Sequence, residues 1–364
     1  TWTFINDGID DFRGRFELAV SPVDTDRLYA SAEGSDHSEL WISSDGGDTW
    51  QETFESGGEP NWLGAQGWYD NTIVCHPTDP DVVYVGGVRL WRIDLSGTSR
   101  TTTQLSVGPV HVDHHGLLIL DDGFGTWRIL NTNDGGVGLS SFRDQAWDAP
   151  IDGMTTTQFY GVDKRPGASA YFGGMQDNGT WFSDLDPDRL TPWSFAIGGD
   201  GYETSWHFDD PSRMIGGFQY NGLRRSQDGG FSWSSATAGL GDTGAGQAPF
   251  ITKIAKSNLD PDLLFAVGAS GVWRSTNFGQ SWTLRPLPED QWGNISSFHD
   301  IKISRADPVV VWAGSRMDDS AQIHLSTDRG ITFTPVANYN TVTMGGISGL
   351  ATHPTESGTA YVLF

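Results

Sequence analysis

A single cysteine stands in 364 residues, which excludes an internal disulfide framework. It lies in the apolar strand pattern Thr72-Ile73-Val74-Cys75, so a buried, inert thiol is expected. Basic residues are also scarce: 22 Lys and Arg stand against 46 Asp and Glu, for a formal charge of −24. Nucleic acid and anionic membrane both favour a basic partner surface, so neither is an expected partner. No run of eighteen apolar residues occurs, which excludes a helical membrane span. Helical periodicity is nearly missing too, and an all-β fold is expected. The chain opens at Thr1 without Met and runs directly into the strand-like Thr1-Trp2-Thr3-Phe4-Ile5. It therefore reads as a processed, secreted product, extracellular or periplasmic, or as a trimmed fragment.

What the chain has in abundance is glycine and tryptophan, 47 and 16 residues, as suits short strands joined by many turns. One octad returns through it. Ser43-Ser44-Asp45-Gly46-Gly47-Asp48-Thr49-Trp50 is followed by Ser226-Gln227-Asp228-Gly229-Gly230-Phe231-Ser232-Trp233. Ser275-Thr276-Asn277-Phe278-Gly279-Gln280-Ser281-Trp282 repeats it with Asn for Asp, and Ser326-Thr327-Asp328-Arg329-Gly330-Ile331-Thr332-Phe333 repeats it again. The last three begin 49 and 51 residues apart, a spacing that signals a repeat architecture. Physically the octad suits a tight turn between strands. Ser and Asp oxygens fold onto backbone N–H groups a few positions on, Gly supplies positive φ, and the aromatic opens the next strand in a packed position. Copied into each repeat, the Asp reads as a structural staple.

These octads resemble the Asp-box, or BNR, repeats of secreted sialidases, xyloglucanases and sortilin-type receptors, which are β-propellers. The resemblance implies a single β-propeller over residues 1–364, with four strands to a blade and an Asp-box turn between the third and fourth. Third strands read at Leu40-Trp41, Leu90-Trp91, Val137-Gly138, Thr180-Trp181, Leu223-Arg224, Val272-Trp273 and Ile323-His324, giving seven complete blades. Residues 345–364 supply two more strands. Either they pair with Thr1-Trp2-Thr3-Phe4-Ile5 as a closing eighth blade, or they begin a further domain. About eight blades are expected, because closure removes exposed sheet edges. A narrower likeness rests on Val110-His111-Val112-Asp113-His114-His115, Asn133-Asp134-Gly135-Gly136, Gln158-Phe159-Tyr160, Gly173-Gly174-Met175-Gln176-Asp177-Asn178-Gly179 and Gly198-Gly199-Asp200-Gly201. Their order resembles secreted bacterial BNR-repeat proteins described as glycosyl hydrolases.

In a propeller the inner strands and the loops leading into them converge on one mouth of the central channel, a concave place reached from every blade. Residues at the inner-strand starts are therefore the candidate site. Asp70, Asp113, Asp200, His111 and His299 are the candidate catalytic groups. Trp68, Tyr69, Gln158, Tyr160, Tyr202, Gln176, Asp177 and Arg15 are the candidate substrate contacts. Carboxylates and imidazoles are costly to desolvate without partners, so such a set is expected to face a wet pocket or to bond among themselves between blades. Read as a strand, His111-Val112-Asp113-His114-His115 turns His111, Asp113 and His115 to one face. There they form either a divalent-metal set or a hydrogen-bonded bridge between blades.

Glycoside hydrolysis needs two carboxyl groups of opposite protonation flanking the scissile bond, and the four aspartates Asp70, Asp113, Asp200 and Asp300 can supply them. A sialidase's three arginines are not matched, since only Arg13 and Arg15 stand near the mouth, and a xyloglucanase builds its cleft from two propellers. The expected function is a secreted glycoside hydrolase acting on a polysaccharide or glycoconjugate, with a lyase less favoured. The alternative is a non-catalytic propeller that binds polysaccharide or protein. Apart from the divalent metal, no cofactor is expected.

Overall fold

A computed structural model describes residues 7–9, 13–35, 37–53, 60–106, 108–121, 123–150, 157–316, 322–337 and 345–363. Two compact units divide the chain, Thr1–Thr157 and Gln158–Phe364. In both, strands follow one another as antiparallel meanders, each pairing with the next in sequence. The fold is all-β and of β-propeller type: seven sheets are four-stranded blades and one has two strands.

The first unit carries three blades. They are β1 (Arg13–Val20), β2 (Leu28–Glu33), β3 (Ser38–Ser43) and β4 (Gln51–Glu52); β5 (Thr72–Cys75), β6 (Val82–Gly86), β7 (Leu90–Asp94) and β8 (Thr101–Gln104); β9 (His114–Asp121), β10 (Trp127–Asn133), β11 (Gly136–Phe142) and β12 (Gln145–Asp148). The second unit carries four. They are β13 (Gly161–Lys164), β14 (Tyr171–Met175), β15 (Gly179–Ser183) and β16 (Trp193–Ile197); β17 (Ser205–Trp206), β18 (Met214–Phe218), β19 (Gly222–Ser226) and β20 (Ser234–Ser235); β21 (Ile254–Lys256), β22 (Leu264–Gly268), β23 (Gly271–Ser275) and β24 (Thr283–Pro286); β25 (Asp300–Ile303), β26 (Val311–Gly314), β27 (His324–Ser326) and β28 (Thr334–Pro335). The pair β29 (Gly349–Thr352) and β30 (Ala360–Leu363) follows, as read from the sequence, while the strand expected at Thr1–Ile5 lies outside the described residues. A single-turn helix, α1 (Glu289–Trp292), precedes β25.

Burial explains why strand periodicity is weak. The second strand of a blade is covered on both faces, so β6, β22 and β26 are buried at every position and read as unbroken apolar runs. Fourth strands lie at the rim and are mostly exposed, as in the threonines of β8, although β16 carries Trp193, Phe195 and Ile197. One apolar cluster fills each seam between consecutive sheets of a unit. Tyr29, Leu40, Trp62, Ile73 and Val83 join the first blade to the second, and Tyr84, Leu90, Val110, Trp127 and Ile129 join the second to the third. Cys75 belongs to the former cluster, where burial pushes its thiol up to about 12.

Every octad links a third strand to a fourth with the same bonds. The Ser Oγ (Ser43, Ser226, Ser275, Ser326) accepts from the N–H of Gly47, Gly230, Gly279 or Gly330 at 2.9 Å. The Asp or Asn Oδ1 accepts from the N–H of Thr49, Ser232, Ser281 or Thr332, also at 2.9 Å. All four glycines have φ between +70° and +99°, the left-handed region that a Cβ disfavours. At Gly330 the space is closed as well, since a Cβ would come within 2.3 Å of the Phe265 ring.

Candidate functional site

In the first unit the loops entering β5 and β9 meet. Gln66 starts a turn in which the N–H groups of Tyr69 and Asp70 donate to its carbonyl at 2.7 and 2.9 Å. This turn lifts Trp68 and Tyr69 into solvent, at 69 % and 40 % exposure, and drives Asp70 inward until nothing of it is exposed. Among the described residues no N–H or hydroxyl reaches either Asp70 oxygen. The carboxyl of Asp113 is its charged neighbour, and burial beside it favours the protonated form of Asp70. Burial above all, and next the charge of Asp113, push Asp70 up to about 8. Asp113 is raised as well, first by burial and then by the charge of Asp134, against the opposing bonds from Asp70 and from Gln66 Nε2 at 3.1 Å. Two carboxyls held side by side disfavour both being ionised, so the loss of a proton from one raises the other.

Asp134 completes the group, with an oxygen within 4.8 Å of one on Asp113. The β10–β11 hairpin turn places it there. Asn133 takes the turn-capping role, its Oδ1 accepting from Gly135 N–H at 3.0 Å, and Asp134 is directed across to its neighbours. Tyr69 OH donates to it at 3.0 and 3.1 Å, and His115 Nε2 lies 2.7 Å from its Oδ1. The Tyr69 and His115 rings meet edge to face at 4.8 Å. Arg15 closes the rim by donating to the Tyr69 carbonyl at 3.3 Å while pairing with Glu17.

The alternation expected across residues 111–115 is not formed. Strand β9 begins only at His114, and Asp113 before it has φ +60°, which breaks the two-residue repeat. His111 turns its Nδ1 to the Val112 carbonyl at 3.0 Å and packs on Gly135, while His115 goes to Asp134. Thus His111, Asp113 and His115 do not share a face. His114 is wholly buried, donates from Nδ1 to Asn131 Oδ1 at 2.9 Å, and is lowered to about 4 by burial, so it is a neutral core imidazole. Elsewhere in this unit His37, Glu39 and Glu52 place one nitrogen and two oxygens within 4.8 Å of one another, a spacing that suits a cation. There Glu39 also accepts from Trp41 Nε1, and His37 lies 3.5 Å from Glu52.

The remaining candidates belong to the second unit. Asp200 accepts the Asp177 N–H at 2.9 Å, so it braces the β14–β15 turn in which Gln176 and Asp177 sit, Asp177 at φ +63°. Gln158 and Tyr160 are exposed ahead of β13. Two expectations of solvent-facing groups are corrected. Tyr202 is fully buried, its ring edge-on to Tyr160 at 5.3 Å and to Phe250 at 5.8 Å. His299 is also fully buried, edge-on to Trp292 at 4.8 Å, accepts Ser296 N–H at 3.1 Å, and is lowered by burial to about 4. Both fill space beneath the loops.

Sequence reasoning passed over Gln66, Asp134 and Glu203. Asp134 sat in a stretch that reads as a turn, with His115 the only signal that a side chain there has a partner. Glu203 is half-buried and raised by burial against the pull of Lys302, Lys253 and Lys256. It is the residue next to Tyr202, with the opposite strand parity.

No family model matches the chain, and no curated protein matches it. Solved structures similar to it include a GH74 enzyme of Niastella koreensis, at 14% identity over 95% of this chain and 74% of that one, with a TM-score of 0.29. A GH74 xyloglucanase from Xanthomonas campestris is similar at 14% identity over 95% and 76%, with a TM-score of 0.29. YCF48 bound to a D1 peptide is similar at 13% identity over 84% and 94%, with a TM-score of 0.27. Likeness this slight carries no argument about activity.

Proposed function

We propose that the chain is a secreted, carbohydrate-active propeller built on Asp-box repeats, and that the first unit hydrolyses a polysaccharide by acid–base catalysis. One observation carries this reading: a buried carboxyl, Asp70, raised to about 8 against a second carboxyl, Asp113, directly behind two solvent-facing aromatics. A core has no use for such a pair, whereas a glycosidase needs a carboxylic acid that stays protonated near neutral pH.

The geometry divides the roles. Asp70 has no exposed surface and cannot meet a substrate, so it stores the proton that half-buried Asp113 delivers to the leaving oxygen as the glycosidic C–O bond breaks. Asp70 and Asp113 serve together as the acid, and Asp134, with an oxygen within 4.8 Å of one on Asp113, stands near the short spacing of a retaining pair and not at the roughly 6.5–9.5 Å that leaves room for a water. Asp134, fixed by Tyr69 and His115, is the second carboxylate: it bonds to the anomeric carbon as the C–O bond breaks, and water then displaces it, giving its oxygen to the sugar and its proton back to Asp113. Trp68 and Tyr69 offer ring faces to the pyranose units.

The test is reducing-end release from a panel of neutral and acidic polysaccharides, run with and without chelator. Asp113→Asn and Asp134→Asn should each lower turnover by about 100-fold or more with folding intact. Activity should fall as pH rises through about 8, where Asp70 loses its proton, and Asp70→Asn should move that alkaline limb to lower pH, because Asp113 then has no neighbouring carboxyl to hold the proton for it. Chelator-sensitive turnover that is indifferent to Asp113→Asn would refute the acid–base reading. Binding without release, lost on Trp68→Ala, would favour the non-catalytic reading, which the exposure of Trp68 supports.

A further inference from the structure

The second unit holds a cleft of about 540 Å³ that lies wholly on its own residues, between the end of β16 and strands β18 and β19. That volume suits one or two sugar rings. Its floor is the loop after β16: Gly199, at φ +84°, lies so close that a Cβ there would stand 2.9 Å from Phe218 Cβ and 3.0 Å from Gln219 Oε1. Gln219 Oε1 is taken by the Asp200 N–H at 3.1 Å, which orients the amide and keeps its NH₂ as the donor. The Phe218 ring rests on Gly222, where a Cβ would come within 2.2 Å of it. Trp233 forms the other wall, held by its Nε1 on the Gly230 carbonyl at 3.0 Å and by stacking on Phe172 at 5.5 Å.

Arg224 enters this apolar setting, its guanidinium 5.8 Å from the Phe218 centroid. Among the described residues no carboxylate pairs with it, a condition it shares with arginines such as Arg225 and Arg285; what distinguishes Arg224 is its place at this aromatic cleft. In a chain with 46 acidic residues, a guanidinium kept off carboxylates and stationed at an aromatic cleft beside an oriented amide is set up for an anion from outside. Flanking aromatic surfaces and a carboxamide donor select a ring that is apolar on its face and oxygenated at its edge.

We propose that this cleft binds a carboxylate-bearing sugar residue of an acidic polysaccharide. Arg224 takes the carboxylate through its two-pronged fork, Gln219 donates to a hydroxyl or ring oxygen, and Phe218 and Trp233 cover the C–H face of the pyranose. Binding here needs no turnover, so it stands or falls separately from the hydrolytic site.

The experiment is calorimetric titration of the whole chain with a uronic-acid trisaccharide and with a neutral trisaccharide of the same length. The uronate should bind, and the neutral sugar should bind at least about tenfold more weakly. Arg224→Gln should weaken the uronate by about tenfold or more without moving the melting temperature, because the side chain lies on the cleft wall and not in the core. Arg224→Lys should recover little of the loss, since an ammonium lacks the fork. Gln219→Ala is a second variant, expected to weaken both sugars. Equal affinity for the two sugars, no affinity for the uronate, or undiminished uronate binding by Arg224→Gln would each overturn the proposal.

Discussion

Asp70 shows how a single side chain can work against the fold that holds it. Its folded-state pKa is raised from 3.8 to about 8, so between those values the native protein keeps a proton that the unfolded chain has released. Stability therefore falls as pH rises through that window and stays lowered above it. Asp70→Asn removes the penalty while keeping the shape of the group. Urea unfolding of the variant at pH 8.5 should show a gain on the order of 1 kcal/mol or more over the parent, shrinking toward zero near pH 4. An equal pH slope for variant and parent would show that Asp113 does not confine the proton to this site.

At the scale of the element, the octad turns show the opposite sign. Asp45 is lowered to about 2 by the hydroxyl and N–H of Thr49, and Asp228 likewise by Ser232, while Asp328 reaches about 2 through Thr332 against the contrary effect of burial. A depressed folded pKa gives stability that is complete above the unfolded value near 4 and is lost as pH falls toward 2. Asn277 makes the same bonds with an amide, Oδ1 to Ser281 N–H and Nδ2 to Ser281 Oγ, so it needs no charge. A triple variant, Asp45→Asn, Asp228→Asn and Asp328→Asn, should fold and should lose stability less steeply between pH 4 and 2, as read from urea midpoints. The same turns explain why the blades were legible in the sequence: the bonds made by the octad's Ser and Asp or Asn side chains span four residues or fewer, so that part of the pattern needs no knowledge of what packs around it. The acid pair was half legible. Asp70 and Asp113 follow from their places at strand starts, but their contact depends on a turn at Gln66 and a left-handed residue at 113, and neither has a local signature. Tyr202 and His299 share those places, and only the packing of Phe250 and Trp292 against them shows that they face inward.

For the molecule as a whole the excess of 46 acidic over 22 basic residues is the dominant fact. Among the described residues, five arginines and two lysines tie acids down, including Lys256 to Asp163 and Lys302 to Asp300. Most of the negative charge is left to repel itself across the surface, and folding brings it closer together. Salt shortens the reach of that repulsion from roughly 30 Å at 0.01 M to about 3 Å at 1 M. The exposed pairs that salt also weakens contribute little, roughly 0–1 kcal/mol each. Repulsion should win, so the melting temperature should rise steadily from 0.01 M to 1 M sodium chloride, with most of the gain below about 0.2 M, where the screening length shortens fastest. A melting temperature that falls over this range would mean that the local pairs outweigh the net charge.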